Sequence, residues 1–486
     1  MGAPEAEIEL KFRIAPEQRS ALEAALDAES AERLLLRARY YDTAEGHLSA
    51  ARIALRLRQE GERWVQTVKR PGKDPMHRLE DNADVSVSPG AAPTLDLARH
   101  GKSGAGEALE RALDGAQPEL RYETDILRTR CTLPIGASCV EVALDVGEIR
   151  AGALKESVSE LEFELLSGPV DGLLELAEEW AARFGLVLDV TSKAERGERL
   201  AAGGSPSPAT YFERAQLPKK LSVAQARALL LGATLAHALP NAAAISSGRY
   251  SPEHVHQLRV ALRRIRTVAK AFGPEDRERD ATLRALFQTL GRARDEDVLV
   301  RTPTPAFEAA VAAGLAPPGH PVARMRDDLA QDDLARAMRE IGTTRLWLQL
   351  LRLAQSRVGP HDERWSRASA RVLKKWRRRA RKHAAKWTEL DAESRHRLRK
   401  RVKRLRYLME FCAPTGSARE HKRELSKLHS LQAALGEGND IVAAQAWLAA
   451  RPALTGTETF AAGWLAREAS SLEGRCARAA AAWLHP

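Results

Sequence analysis

Charged side chains occupy every second position near the N-terminus, in the segment EIELKFRI. The four are Glu7, Glu9, Lys11 and Arg13. Successive side chains of an extended strand point to opposite faces, so these charges share one face and the apolar side chains occupy the other. Carboxylate oxygens bind hard divalent cations such as Mg²⁺, whereas lysine and arginine donate hydrogen bonds to phosphate oxygens. One strand face therefore combines the chemistry that holds a metal with the chemistry that holds a phosphate.

Other segments with the two-residue period of a β-strand also carry their charges on one face. They contain Arg56 with Arg58, Thr67 with Lys69, Arg128 with Arg130, Glu141 with Asp145, and Glu160 with Glu162 and Glu164. Carboxylates fall on the first and last strands, and cations fall on strands between them. Turn sequences and helical stretches, around residues 16–28 and 169–185, separate the strands. This part of the chain is therefore expected to be an antiparallel α+β domain.

Two arrangements of such a sheet are compatible with this pattern. An antiparallel sheet commonly has one solvated face, which would leave the charges in water. Alternatively, the sheet closes, so that the charged faces turn inward and helices cover the apolar faces. Ions removed from water need compensation, which a divalent metal at the carboxylates and a polyanion at the cations would supply. The closed arrangement predicts a linear, highly charged phosphate chain as the ligand.

The segment EIELK, with Glu7, Glu9 and Lys11, resembles the ExExK signature of the CYTH domains, the triphosphate tunnel metalloenzymes. The resemblance continues through YYDTAEGHLSAARIALRLR, WVQTVKRPG, HRLED, EVALDVGEIRAG, SELEFELLSG and TSKAERG, over nearly all of residues 5–200. It implies an eight-stranded antiparallel tunnel that hydrolyses or rearranges triphosphates with Mg²⁺ or Mn²⁺. Inorganic triphosphate, cleaved to pyrophosphate and phosphate, is the substrate that we expect.

The resemblance also assigns residues to this tunnel. Those implied to be catalytic are Glu7, Glu9 and Lys11. Those implied to hold metal are Glu7, Glu9, Glu160, Glu162 and Glu164. Those implied to bind the substrate phosphates are Lys11, Arg56, Arg58, Lys69, Arg78, Arg128 and Lys193.

The net charge of +11 conceals a division of the 486-residue chain into two parts of opposite sign. Residues 1–200 contain 26 Lys and Arg against 37 Asp and Glu, whereas the remainder contains 50 against 28. The sign changes at LAAGGSPSPATYFERA, a stretch of glycine, serine and proline that is typical of a linker. We therefore predict a tunnel domain at 1–204, a linker at 205–217 and a second domain at 218–486.

The second part of the chain has a helical period and repeats itself. HVHQLRVALRRIRTVAKAF at 254–272 resembles SRHRLRKRVKRLRYLMEF at 394–411, and LGRARDEDV and LGEGNDIVA follow in the same order. In each copy a histidine and three cations lie at spacings of 3, 4 and 3, which places them on one helix face. A solvated face is the ordinary explanation of one basic stripe, but two matching stripes favour binding of a polyanion.

The repeat resembles the CHAD domain, the conserved histidine α-helical domain, over roughly residues 218–486. This resemblance implies two duplicated four-helix bundles whose basic helices bind inorganic polyphosphate. The matched positions are His256, Arg259, Arg263, Arg264, Arg266, His396, Arg399, Lys400, Lys403, Arg404 and Arg406. Nucleic acid is a less favoured partner, because aromatic residues make up only 5% of the chain and no nucleic-acid-binding signature is present.

The sequence is therefore compatible with three functions. The favoured one is a metal-dependent inorganic triphosphatase with a polyphosphate-binding domain. An adenylate cyclase or an organic triphosphatase of the same tunnel fold is the enzymatic alternative, and a non-catalytic polyphosphate-targeting protein is the other. The sequence has no run of 18 apolar residues and an acidic N-terminus, so we expect a cytoplasmic location, with association to polyphosphate granules, and no membrane partner.

Overall fold

The structure is a computed structural model with side chains, and it describes most of the chain. The described residues are 5–86, 93–101, 103–218, 220–301, 308–309, 311–314, 331–356, 363–412, 417–449 and 456–485. The strands within them are β1 (Glu5–Arg13), β2 (Glu32–Asp42), β3 (Ala54–Glu60), β4 (Arg63–Pro71), β5 (His77–Val85), β6 (Glu119–Ile135), β7 (Ser138–Ala151), β8 (Leu154–Ser167) and β9 (Val187–Leu188).

Fourteen α-helices lie within the same described residues. They are α1 (Arg19–Asp27), α2 (His47–Ala50), α3 (Gly104–Leu113), α4 (Val170–Phe184), α5 (Lys193–Ala201), α6 (Val223–Ser246), α7 (Pro252–Phe272), α8 (Arg277–Arg301), α9 (Gln331–Arg339), α10 (Ile341–Gln355), α11 (Trp365–Ala384), α12 (Ala392–Phe411), α13 (Ala418–Ala449) and α14 (Gly456–Leu484). The prediction of a helical C-terminal part is thus confirmed, whereas its division into two duplicated four-helix bundles stays a prediction.

The chain forms two compact units. Unit 1 comprises Met1–Tyr211, Leu235–Leu258 and Ala335–Gln355, and unit 2 comprises Phe212–Thr234, Arg259–Leu334 and Ser356–Pro486. All of the strands belong to unit 1. The predicted domain bounds and linker stay a prediction.

The first eight strands close into an antiparallel barrel. Their order is β5-β4-β3-β2-β6-β7-β8-β1, and a further pairing of β1 with β5 joins the two edges of the sheet. The short β9 pairs with the end of β1. Closure leaves no free edge along most of the sheet, and it creates an interior that only side chains and ligands can occupy. The predicted eight-stranded antiparallel barrel is confirmed.

Apolar faces of the strands point outward beneath helices. Phe12 of β1 and Phe163 of β8 are fully buried, with ring centroids 5.5 Å apart, and Trp180 of α4 lies 5.9 Å from Phe163. On the other side, α3 packs Leu109 and other apolar residues against strands β3 and β4. The charged faces of these strands consequently turn inward, which selects the closed arrangement over a solvated sheet.

Helix α5 packs its apolar face against side chains inside the barrel. Leu200 contacts a cluster that includes the stacked rings of Tyr40 and Tyr122, whose centroids are 4.7 Å apart. A Cβ atom at Gly197 would lie 2.2 Å from the Tyr122 ring, so only glycine permits this close approach. The Ser192 hydroxyl and the Glu195 carboxylate form a capping box, which fixes the residue at which α5 begins.

Helix α6 differs from the others in its composition. It is long and apolar enough to cross a membrane by these two criteria, the one such helix in the described part of the chain. In the protein, 72% of the most apolar 18-residue stretch of this helix is buried. Burial of this kind is usual for a core helix of a folded domain.

Candidate active site

Pairing of β1 with β8 places predicted site residues beside one another on the inner wall of the barrel. Glu9 lies opposite Glu164, and Lys11 lies opposite Glu162. Directly opposite residues of antiparallel strands point to the same face, so these four side chains share the interior. The charged face of β1 is therefore paired with carboxylates of β8 between Glu160 and Glu164.

Lys69 of β4 connects three carboxylates at one end of this wall. Its Nζ lies 2.9 Å from Glu7, 3.4 Å from Glu9 and 2.7 Å from Glu80. Glu80 is absent from the predicted site residues. The signal that could have found it is its position in β5, two residues after Arg78 and hence on the same strand face.

The carboxylates near Lys69 differ strongly in their proton affinity. Burial raises the pKa of Glu7 to about 7, because Lys69 compensates only part of the cost of desolvation. Burial, with the charge of Glu141, likewise raises the pKa of Glu164 to about 7. Burial opposes the ionisation of Glu80 as well, but Lys69 and Arg56 outweigh it and hold the pKa of Glu80 below its ordinary value. Positive charge is therefore insufficient at Glu7 and Glu164.

A second charged cluster lies on strands β6, β7 and β8. The Arg128 guanidinium donates two hydrogen bonds of 2.7 Å to the fully buried Asp145 and a third to Glu162. Lys193, the first residue of α5, lies 2.6 Å from Asp145 and 2.9 Å from Glu162, and it also contacts Glu160. Burial opposes ionisation of Asp145, but these two cations lower its pKa below the ordinary range.

The sequence pattern places Asp145 on the same strand face as Glu141, but Asp145 is absent from the predicted site residues. In the structure, Asp145, Glu160 and Glu162 form a group of carboxylates whose oxygens lie within 4.8 Å of one another. Among the described residues this is the one group with the spacing of a metal site. The predicted metal ligands thus separate into Glu7, Glu9 and Glu164 on one side and Glu160 and Glu162 on the other.

The predicted phosphate-binding cations surround a shared cavity with an empty volume of about 940 Å³. The predicted residues that line it are Glu7, Glu9, Lys11, Arg56, Arg58, Lys69, Arg128, Glu162, Glu164 and Lys193. Arg78 and Glu160 contact lining residues instead, since Arg78 lies 3.2 Å from Glu9 and Glu160 contacts Lys193. The barrel therefore brings the predicted side chains together around one space.

The donor atoms in this cavity suit a hard divalent metal. Carboxylate oxygens are the ligands that Mg²⁺ and Mn²⁺ prefer, and the cavity presents them on two adjoining walls. The raised pKa values of Glu7 and Glu164 indicate that these buried carboxylates have too little positive charge beside them. A divalent metal bound there would supply that charge. Three cations, Lys193, Arg128 and Arg196, already pair with the three carboxylates of Asp145, Glu160 and Glu162.

The two raised pKa values predict a fall in stability with rising pH. Between about pH 4.5 and 7 the folded protein binds more protons at Glu7 and Glu164 than the unfolded chain does, so the free energy of unfolding decreases as pH rises. We expect the Tm of the protein in EDTA to fall over this range, and to fall less in the Glu164→Gln variant. A wild-type profile that is no steeper than that of the variant would contradict the prediction.

In unit 2, two of the matched basic residues have structural partners. Arg264 of α7 lies 3.3 Å from Glu410 and stacks over Phe212 at 4.1 Å. Arg406 of α12 is buried; it donates a 2.6 Å hydrogen bond to Gln432 and contacts the same Glu410. These contacts join α7, α12 and α13, so both arginines support the packing of the helices.

Other matched residues are placed as follows. Arg259 and Arg263 stack over Phe287 at 4.6 and 5.1 Å, and Arg399 lies 3.9 Å from Asp440. His396 is exposed on α12, Lys403 is half-buried there, and His256 is half-buried on α7.

A cluster of cations lies between α7 and α12. It comprises Arg266 and Lys270 of α7 with Lys400 and Arg404 of α12. The neighbouring charge of Arg404, followed by burial, lowers the pKa of Lys270. Burial and the charge of Arg266 lower the pKa of Arg404. Burial and the charges of Arg404 and Arg266 likewise lower the pKa of Lys400. Lys270 is absent from the predicted residues, although its position four residues after Arg266 places it on the same helix face.

Two known domain families match successive parts of the chain. Residues 5–197 match the CYTH domain family, and residues 229–449 match the CHAD domain family. An inorganic triphosphatase from Haemophilus influenzae is 32% identical over 197 residues, which are 39% of this chain and 54% of the relative. The chain thus spans about half the length of the curated relative that it matches.

Solved structures similar to the chain include domains of both kinds. The CHAD domain from the plant Ricinus communis is 26% identical and covers 58% of this chain and 96% of its own, with a TM-score of 0.49. A proposed adenylyl cyclase from Hippeastrum with a dominant triphosphatase activity is 19% identical and covers 40% and 96%, with a TM-score of 0.30. From the two family matches, the chain belongs to the proteins that carry a CYTH domain followed by a CHAD domain.

Proposed function

We propose that the barrel hydrolyses inorganic triphosphate to pyrophosphate and phosphate with the help of Mg²⁺ or Mn²⁺. The observation that carries this proposal is the cavity inside the barrel in which six cations face carboxylates with raised pKa values. Such a cavity suits a short chain of phosphates accompanied by a divalent metal. The 32% identity to a protein named inorganic triphosphatase supports the choice of substrate.

Each group of side chains has a distinct task in this proposal. Arg56, Arg58 and Arg128 supply planar guanidinium groups that bind phosphate oxygens in fixed orientations. Lys11 and Lys69 supply compact charges at the carboxylate wall. Glu7, Glu9 and Glu164 would hold the metal, and a bound divalent ion would polarise phosphate oxygens and lower the pKa of a bound water.

Hydrolysis forms a bond from a water oxygen to the terminal phosphorus and breaks the bridging bond, so that pyrophosphate leaves with added negative charge. Phosphoryl transfer depends mainly on positioning and on stabilising this charge. The lining lysines and arginines are placed on several different strands and at the start of α5, so they can contact successive phosphates of a linear chain.

The proposal is tested by incubating the full chain with Mg²⁺ or Mn²⁺ and one of several substrates. The substrates are tripolyphosphate, ATP, thiamine triphosphate and long-chain polyphosphate. We expect phosphate and pyrophosphate from tripolyphosphate in equal amounts, with loss of turnover in EDTA. Faster turnover of ATP, with cyclic AMP or ADP as product, would assign the barrel to the alternative enzymes. Absence of turnover with every substrate and both metals would overturn the enzymatic proposal.

We further propose that unit 2 contributes a binding surface for inorganic polyphosphate. The cation cluster on α7 and α12 supports this proposal, because the charge of Arg404 lowers the pKa of Lys270, and burial with the charge of Arg266 lowers the pKa of Arg404. Asp280, which lies 3.6 Å from Arg266, offsets only part of this positive charge. A polyanion would relieve the repulsion that remains. A cytoplasmic location at polyphosphate granules stays a prediction.

Replacing two members of this cluster should weaken the binding of polyphosphate. In the Lys400→Gln/Arg404→Gln variant we expect the Kd of a polyphosphate of defined length to rise about tenfold, because at least one charged hydrogen bond is lost. The matched control is Lys375→Gln/Arg378→Gln, which removes the same two charge types from exposed positions on α11. Equal weakening in both variants, or tighter binding of duplex DNA at physiological salt, would contradict the proposed surface.

A further inference from the structure

Asp189 lies outside the cavity, yet it contacts the segments that carry two of its lysines. It directly follows β9, and its backbone N–H donates a 2.9 Å hydrogen bond to the carbonyl oxygen of Lys11. The Asp189 side chain is buried and contacts Arg13 through one carboxylate oxygen. The other oxygen accepts a 2.8 Å hydrogen bond from the backbone N–H of Thr191. Both carboxylate oxygens are thus engaged.

The segment that Asp189 holds contacts the ammonium group of Lys11 through one carbonyl oxygen. The Thr191 carbonyl oxygen accepts a hydrogen bond from the Lys11 ammonium group. Since Asp189 fixes the N–H of Thr191, it also fixes the orientation of this residue. The position of the ammonium group in the cavity therefore depends on a carboxylate that does not line it.

The same segment sets the start of α5. Ser192 caps the helix, and Lys193 follows at once with its contacts to Asp145 and Glu162. A shift of the segment would move Lys11 and Lys193 together. Burial opposes the ionisation of Asp189, but Arg13 and Lys11 lower its pKa to about 2, so its charge persists throughout the neutral range.

We propose that Asp189 is a positioning residue, which holds the Lys11 ammonium group for the phosphate chain through Arg13 and Thr191. This role rests on the proposed triphosphatase function. It accounts for Arg13, the fourth charged residue of the opening strand, whose partner is Asp189 and not a ligand. Asp189→Asn keeps the side-chain volume, but its amide would present a donor to either the Arg13 guanidinium or the Thr191 N–H, so one of the two contacts is lost.

The kinetic test compares Asp189→Asn with Asp171→Asn, an equivalent change at an exposed position of α4. We expect kcat/KM for tripolyphosphate to fall about tenfold or more in Asp189→Asn and to stay within twofold in the control. In the Lys11→Met background, Asp189→Asn should cause a smaller loss than in the wild-type background, because the part of its effect that passes through Lys11 is absent. An equal loss in both backgrounds, or a loss below twofold in the wild-type background, would overturn the proposal.

A second readout needs neither metal nor substrate. Acetylation of Lys11 by acetic anhydride, followed by peptide mass spectrometry, should be several-fold faster in Asp189→Asn, because the ammonium group loses its fixed acceptor. Exposed Lys155 serves as the internal control. An unchanged rate at Lys11 would overturn the proposal. If acetylation of Lys11 is faster in Asp189→Asn but the protein has no triphosphatase activity, the positioning role is supported and the proposed substrate is rejected.

Arg13→Gln keeps the test decisive if Asp189→Asn does not fold. It removes the ion pair and leaves the hydrogen bond from Thr191 in place. We expect acetylation of Lys11 to be faster than in wild type and kcat/KM to be lower by about threefold or more. Wild-type values for both quantities would overturn the proposal.

Discussion

Replacing Glu9 by glutamine should lower kcat/KM for tripolyphosphate about a hundredfold or more. Glutamine keeps the length of the side chain but removes the negative charge that faces Lys69 at 3.4 Å and Arg78 at 3.2 Å. In the proposed site this carboxylate also binds the divalent metal. We therefore expect a higher Mg²⁺ concentration at half-maximal rate, measured by phosphate release over a range of Mg²⁺ concentrations.

The control for this variant is Glu107→Gln, which makes the same change at an exposed position of α3. Its rate and its Mg²⁺ dependence should match those of the wild-type protein. A Glu9→Gln variant with wild-type kcat/KM at every Mg²⁺ concentration would contradict a role for this carboxylate in catalysis or metal binding.

Replacing Asp145 by asparagine should lower the free energy of unfolding by about 3–5 kcal/mol. The Asp145 side chain is only 1% exposed, and it is the shared partner of Arg128 and Lys193. Removing its charge leaves both cations in a low-dielectric interior with fewer acceptors, which costs more than the loss of one exposed ion pair. Urea unfolding of the full chain, followed by circular dichroism, measures the change.

Asp84→Asn provides the matched comparison, because Asp84 pairs with Arg63 in an ion pair whose side chains are 70% and 63% exposed. We expect this control to change the free energy of unfolding by less than about 1 kcal/mol. Similar losses for the buried and the exposed aspartate would refute the assignment of Asp145 as the central anion of its cluster.

The inner wall of the barrel could be predicted because it depends on local periodicity. Alternation along β1 and β8 is sufficient to place Glu9, Lys11 and Glu162 on one face. Alternation also places Glu80 on the same face as Arg78, but its contact with Lys69 could not be predicted, because that contact depends on which strands are neighbours and on closure of the sheet. Asp145 likewise gained its importance from Arg128 and from Lys193, which arrives on a helix 48 positions later in the chain.

The basic stripes on the helices were predictable from the 3.6-residue period, but the use of each cation was not. Arg264 and Arg406 both contact Glu410, and the first of these pairs spans 146 residues. Partners at that separation leave no local pattern in the sequence. Lys270 was missed for a different reason, since the corresponding residue in the second copy of the repeat is Glu410 and the two do not match.

The contacts around Lys11 have a consequence for the order in which the barrel folds during synthesis. The hydrogen bond from Lys11 to Thr191 joins residues 180 positions apart, and the ion pair from Arg13 to Asp189 joins residues 176 positions apart. Contacts between such distant residues form late, after the intervening strands have been made. A nascent chain that has not yet released β9 and α5 from the ribosome therefore lacks both lysine anchors. The cavity is completed only when the two ends of the barrel segment meet, so under the proposed function we expect incomplete chains to lack triphosphatase activity.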